Sequence, residues 1–198
     1  MKASIILAHP NPKSFNHAIA ATSGEQLLTA GWTVNWHDLY AERFDPLLPA
    51  EELARDATLP PEIRRHCDEI VSADAIVIVH PNWWGQPPAI LRGWQDRVLR
   101  MGIAYRFGAD GVPIGLLAAK WAIVFTTSNT PRDKEIAMFG DPLENLWTRC
   151  VLQFCGVHNT VRRNFEVIIT SKPEERALWL DEARQMVAAA VAGTSAIH

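Results

Sequence analysis

Three short apolar runs, Ile5-Ile6-Leu7-Ala8, Ala75 to Val79 and Trp121-Ala122-Ile123-Val124-Phe125, show no polar alternation. A strand with one wet face alternates apolar and polar residues, so an unbroken apolar run reads as a strand covered on both faces. That confines the chain to a parallel sheet held between helices. Val34 to His37 and the alternating Val161 to Ile169 offer two more strands, and helix-like stretches fall at 14–30, 60–73, 87–101, 142–154 and 173–192. The last is introduced by Ser171-Lys172-Pro173-Glu174, a capping-box pattern, and carries Trp179, Ala183, Val187 and Ala190 on one stripe. The alternation predicts a single α/β domain over 1–198, a doubly wound five-stranded parallel sheet with helices on both faces.

In such a sheet ligands collect at the carboxyl ends of the strands. Each central run here ends in an unusual loop. The first run gives His9-Pro10-Asn11-Pro12-Lys13-Ser14-Phe15-Asn16, where Ser14 is placed to cap a helix whose first N–H groups, at Phe15, Asn16 and His17, face outward as an anion seat. The seat lacks the glycines of a dinucleotide fingerprint and the Gly-Lys-Ser/Thr of a P-loop. An ordinary capped helix would carry the same serine.

The second run leads into His80-Pro81-Asn82-Trp83-Trp84-Gly85-Gln86-Pro87-Pro88. Adjacent tryptophans on a loop are poor candidates for joint burial, and they offer flat stacking surfaces beside the hydrogen-bonding amide of Asn82. Pro87 and Pro88 stiffen the exit into the next helix, and Gly85 lets the backbone pass close to a neighbour. The third run ends in Thr126-Thr127-Ser128-Asn129-Thr130-Pro131, small hydroxyls and exposed N–H groups suited to carbonyl oxygens and ring nitrogens. An anion seat, an aromatic platform and a polar rim together suit a flat, amphipathic, phosphorylated cofactor, a flavin nucleotide.

Composition closes off other classes. A net charge of −3 with scattered Lys and Arg gives no electrostatic footprint for nucleic acid or an anionic membrane. Three cysteines, Cys67, Cys150 and Cys155, form no CxxC pair and no zinc spacing with the seven histidines, which fits reduced thiols in the cytoplasm. The first apolar run is too short for a signal-peptide core, and none approaches the ~20 residues of a membrane span. A cytoplasmic protein with no direct membrane insertion is expected.

The stretch Pro81-x-x-Trp84-x-x-x-Pro88-Ala89-Ile90-Leu91-Arg92-Gly93-Trp94-x-Asp96-Arg97-Val98, followed by Gly102-Ile103-Ala104-Tyr105, closely resembles the signature of the NAD(P)H:quinone oxidoreductases, the DT-diaphorase-like branch of the flavodoxin-like fold. His9 with Ser14-Phe15-Asn16 resembles that family's first flavin loop, Thr126-Thr127 its Thr-Thr-Gly-Gly, and Gln153-Phe154-Cys155-Gly156 its segment before the last strand. The resemblance implies that His9, Ser14, Phe15 and Asn16 hold the phosphate and ribityl part of FAD, with FMN as the alternative. It implies that Pro81, Asn82, Trp83, Trp84, Thr126, Thr127, Ser128 and Asn129 hold the isoalloxazine, and that Arg176 stands near the adenine. In a homodimer, Tyr105, Phe107 and Phe154 would line the partner's pocket.

The departures are informative. Ser128-Asn129 replaces Gly-Gly, and the tyrosine and histidine that steady the charge of the family's reduced flavin are absent, with Phe139-Gly140-Asp141 standing where His-Gly-Asp is expected. The backbone N–H groups of the Thr127 to Asn129 turn and the cation of Arg132 are the candidate substitutes, with a solvated loop charge as the plainer reading of Arg132. The implied activity is a ping-pong transfer of two electrons from NAD(P)H to a quinone or similar electrophile, the cofactor carrying the chemistry. The alternatives are a flavin-binding ancillary subunit of a membrane transport complex and a one-electron carrier, the latter weakened by the mild charge.

Overall fold

The computed structural model describes residues 1–193. Five strands, β1 (Lys2–Leu7), β2 (Thr33–Asp38), β3 (Ala75–Pro81), β6 (Trp121–Thr127) and β7 (Thr160–Phe165), form one sheet in the order β2-β1-β3-β6-β7, every pair parallel. A separate antiparallel ribbon joins β4 (Tyr105–Phe107) to β5 (Pro113–Gly115). The helices are α1 (Phe15–Thr29), α2 (Pro61–Val71), α3 (Ala89–Val98), α4 (Arg132–Phe139), α5 (Pro142–Asn145) and α6 (Pro173–Ala192); α5 runs on into a π-helical segment, Leu146–Gln153.

The unbroken apolar runs are buried on both faces, as their lack of alternation requires. Ile6, Ile76, Ile78 and Val124 point to a core shared with Ile63, Trp94 and Trp147, while Ile5, Leu7, Val77 and Phe125 point to one shared with Ile19, Phe165 and Val187. α1 and α6 therefore cover one face, and α2, α3 and the π-helical segment cover the other. The three central strands end in register, Leu7 beside Val79, and Pro81 beside Thr127, so their loops open on one edge.

Four sequence expectations are corrected. The strand expected over Val161 to Ile169 stops at Phe165, because Ile168 N–H bonds Ser128 O at 3.0 Å and Ile169 N–H bonds Asn129 Oδ1 at 2.9 Å, turning the chain out of the sheet. The helix expected to run to residue 101 ends at Val98. The capping box of α6 lies one residue later than expected: Lys172 is the cap, its N–H bonds Glu175 Oε2 at 3.4 Å, and Ser171 instead accepts from Arg176. Helix α4 lay in what reads as loop, for of its residues only Glu135 is buried and no apolar stripe marks it.

Candidate functional site: a cleft at the carboxyl edge

The β1–α1 loop is folded by its own polar atoms. Asn11 N–H bonds His9 Nδ1 at 3.1 Å, Lys13 N–H bonds Asn11 Oδ1 at 2.9 Å, and Ser14 N–H bonds Asn11 O at 3.0 Å. Pro10 and Pro12 leave no further amide hydrogens to satisfy. Ser14 caps α1, its Oγ accepting from His17 N–H at 3.3 Å. The N–H groups of Phe15 and Asn16 keep no protein acceptor among the described residues, so two of the three expected anion donors are free and the third is committed to the cap.

Asn16 is buried, with its Oδ1 accepting from the Thr127 hydroxyl at 3.0 Å, yet its Nδ2 has no partner among the described residues. A buried donor without an acceptor is costly unless something else supplies one. Asn16 is one of the residues that line a cleft of about 310 Å3, with His9, Lys13, Ser14, Phe15, Pro81, Asn82, Trp83, Thr127, Ser128, Asn129, Ile168 and Arg176. Two cations and no carboxylate stand in that lining. Burial is the largest influence on His9 and holds it below the usual imidazole range.

The second loop is tied down at Asn82. Its N–H bonds Thr127 O at 2.7 Å, its Oδ1 accepts Gly85 N–H at 2.9 Å, and its Nδ2 bonds the buried carboxylate of Glu135. Trp83 and Gln86 exchange two backbone bonds of 3.0 Å, closing a tight turn in which Trp84 and Gly85 both take positive φ, 59° and 69°. Such a turn suits Asn-Gly, and a tryptophan in it is strained. Gly85 has a second reason to be glycine, since a Cβ there would lie 2.7 Å from Pro142 Cγ. The turn projects the Trp84 indole fully into solvent. Beneath it a second, more apolar hollow of about 420 Å3 is walled by Trp84, Phe139 and Pro142 and shares Asn82, Ser128 and Asn129 with the first.

The third loop is fastened from β7. Ser128 N–H bonds Phe165 O at 3.0 Å, and Asn164 Nδ2 donates to Ser128 Oγ at 3.0 Å. Only Asn129 and Thr130 N–H remain unbonded there among the described residues.

The structure thus gathers His9, Ser14, Phe15, Asn16, Pro81, Asn82, Trp83, Thr127, Ser128, Asn129 and Arg176 at one cleft, with Trp84 on the adjoining hollow. Arg176 is held there by bonds to Ser171 Oγ, 2.7 Å, and Ile168 O, 3.0 Å. Thr126 is not in the lining: its hydroxyl is buried, accepting from Arg162 and donating to Asn164, both at 2.8 Å. Arg132 lines neither hollow, its guanidinium being turned to Asp141 at 3.8 Å. Tyr105, Phe107 and Phe154 do form one aromatic group, with ring centroids 5.9 and 4.9 Å from Tyr105, but Tyr105 and Phe154 border a different cavity. Lys13, Glu135, Pro142 and Ile168 were not foreseen, while Phe139 lies on the adjoining hollow at the position where the resemblance expects a histidine. Lys13 could have been foreseen, because it adjoins the capping serine; Glu135, Pro142 and Ile168 meet the site only through tertiary contacts.

The profile of the flavodoxin-like fold matches residues 1–189. The chain belongs to the flavodoxin-like family. It is 38% identical over 160 residues, 78% of each chain, to a protein of Haemophilus influenzae named an uncharacterized NAD(P)H oxidoreductase. The solved structure of Smu.1420 from Streptococcus mutans UA159 superposes with a TM-score of 0.84 at 32% identity, covering 95% of this chain and 99% of that one. An NAD(P)H:quinone oxidoreductase from Methanothermobacter marburgensis superposes with a TM-score of 0.82 at 26% identity, covering 96% of both. The strand order is that of this family, in which the cofactor crevice lies at the β1/β3 switch point, where the first two loops meet here. No helix among the described residues is long and apolar enough to cross a membrane.

Proposed function

We propose that this chain is a flavin-dependent NAD(P)H oxidoreductase that passes two electrons from NAD(P)H to a quinone or similar electrophile, each visiting the same slot in turn. The relatives' names support an NAD(P)H- and quinone-linked activity; the observation that carries the flavin is the Asn16 side chain. Asn16, whose buried Nδ2 has no partner among the described residues, lines a cleft with free helix N–H groups and two cations, and a phosphate with its ribityl chain would offer the missing acceptors. The flavin, when bound, supplies the two-electron chemistry. The chain's own residues hold and orient it: Lys13, Ser14, Phe15 and Asn16 at the phosphate, Trp83 and Asn82 along the ring, and Trp84, Phe139 and Pro142 as the wall of the adjoining slot. Arg176 favours FAD, which would place an adenine nearby, and FMN is the alternative.

Tyr105, Phe107 and Phe154 are given their role by a homodimer, in which this group lines the partner's slot; Phe107 is half exposed in the single chain. The test is the absorption spectrum and extracted cofactor of the purified chain, with NAD(P)H consumption assayed against a quinone. A flavin spectrum and quinone-dependent turnover are expected. A colourless protein that takes up neither FMN nor FAD would overturn the reading, and a catalytically active monomer would overturn the dimer.

A further inference from the structure

Ser14, His17 and Asp38 form a line that the flavin reading does not use. Ser14 Oγ lies 2.9 Å from His17 Nδ1, and His17 Nε2 lies 3.0 Å from Asp38 Oδ2. Asp38 is fixed as an acceptor, its Oδ1 taking the N–H groups of Tyr40 and Ala41, both at 3.1 Å. His17 Nε2 therefore carries a hydrogen. The hydroxyl of Ser14 has only one hydrogen, and its oxygen already accepts from His17 N–H.

Two states follow from counting protons. With His17 neutral, Nδ1 is a lone pair, the Ser14 hydroxyl donates to it, and Ser14 shows the cleft no donor. With His17 protonated, Nδ1–H donates to Ser14 Oγ, the hydroxyl hydrogen is released toward the cleft, and a positive charge stands behind it. We infer that His17 and Asp38 are positioning residues that set which way Ser14 donates, so that seating an anionic phosphate in this cleft takes up a proton at His17. The inference rests on the proposed flavin phosphate site.

That the anion belongs here is supported independently by the partnerless Nδ2 of Asn16, whose side chain is buried at the same helix start. Among the described residues, the titratable and charged groups that face His17 are few. Asp38 stands at the end of β2, and His9 lies in the β1–α1 loop with its ring 6.4 Å away, edge-on. Lys13, one residue before the cap, shares the cleft. Burial lowers the pKa of His9, whose Nδ1 is taken up by the Asn11 N–H, so His17 is the imidazole that faces the Ser14 hydroxyl.

The experiment compares dissociation constants of FMN, with riboflavin as the phosphate-free control, for the full chain freed of bound flavin, between pH 6 and 8.5. FMN's own phosphate ionisation is common to all variants and cancels in the comparison. Relative to His17→Gln, the parent is expected to gain about tenfold in FMN affinity toward the acid end, the worth of one charge-assisted hydrogen bond, with riboflavin unaffected. Asp38→Asn provides the second, independent arm. An amide keeping the Tyr40 and Ala41 bonds would donate to Nε2, move the imidazole hydrogen to Nδ1 and leave Ser14 a donor at every pH. That variant should bind FMN without the pH dependence and more tightly than His17→Gln at pH 8.5. If the parent and both variants share one pH slope while FMN still outbinds riboflavin, the inference fails and the flavin site stands. If FMN binds no more tightly than riboflavin, the phosphate seat itself is wrong and both fall.

Discussion

Mild acid should destabilise this protein through His80. The imidazole is completely buried at the end of β3, donating Nδ1–H to Pro81 O at 2.8 Å and accepting the Trp147 indole N–H on Nε2 at 2.8 Å. Both nitrogens are committed to the neutral form, and a second proton would break the tryptophan bond. Burial, with a smaller push from the Arg162 cation and despite the Pro81 bond, lowers its pKa from 6.5 to about 4. For a depressed imidazole the unfolded chain takes the proton first, so stability is full above pH 6.5 and declines as pH falls toward about 4. At ~1.4 kcal/mol per unit, the drop between pH 7 and pH 5 comes to about 2 kcal/mol. Glu42, lowered to about 2 despite its burial by hydrogen bonds from His37 and His66, loses its contribution only below its unfolded value of 4.5, so the two windows separate. His66, lowered chiefly by burial, acts in the same direction as His80, and for that reason the comparison must be with a variant. In His80→Gln the amide oxygen can still accept from Trp147 but does not titrate. Urea unfolding at pH 7 and pH 5 should show the parent losing about 2 kcal/mol more than the variant. Equal losses would mean that His80 takes a proton in the folded state and that the tautomer argument is wrong.

Trp84→Asn places a residue tolerant of positive φ before Gly85 and removes no packing, since the indole is fully exposed; urea midpoints should rise by an amount worth about 1 kcal/mol while flavin is retained less well. A loss of stability would show that the indole packs on the protein. Asn16→Asp keeps the acceptor for Thr127 but turns the partnerless donor into a negative charge, and FMN affinity measured by fluorescence titration should fall by at least ~tenfold; unchanged affinity would move the phosphate elsewhere. Arg132→Ala should leave the midpoint potential of the bound flavin where it is, because this arginine faces Asp141 and the unbonded N–H groups of Asn129 and Thr130 remain; a clear negative shift would restore it as the group that steadies the flavin's charge.

The strands and the cleft were legible for one reason: each rests on a local pattern. An apolar run such as Ala75 to Val79 announces its double burial in its own residues, and the loops that follow β1, β3 and β6 meet because parallel strands in register must end together. What was hidden is non-local. Thr126 and Thr127 are neighbours with the same side chain, yet strand alternation sends Thr127 to Asn16 at the cleft and Thr126 to Asn164 and Arg162 in the interior, and no local signal says which. Arg132 read as a free loop cation because Asp141, which takes its charge, is reached only after α4 has turned the chain back. The same holds at the start of α1. Ser14 and His17 stand three residues apart and their bond could be guessed from helix geometry, but the carboxylate that decides the tautomer of His17 comes from β2, 21 residues away, and only the pairing of β2 with β1 brings it to the start of α1. The sequence can therefore expose which residues line a cleft while leaving hidden the residues that hold those side chains from behind.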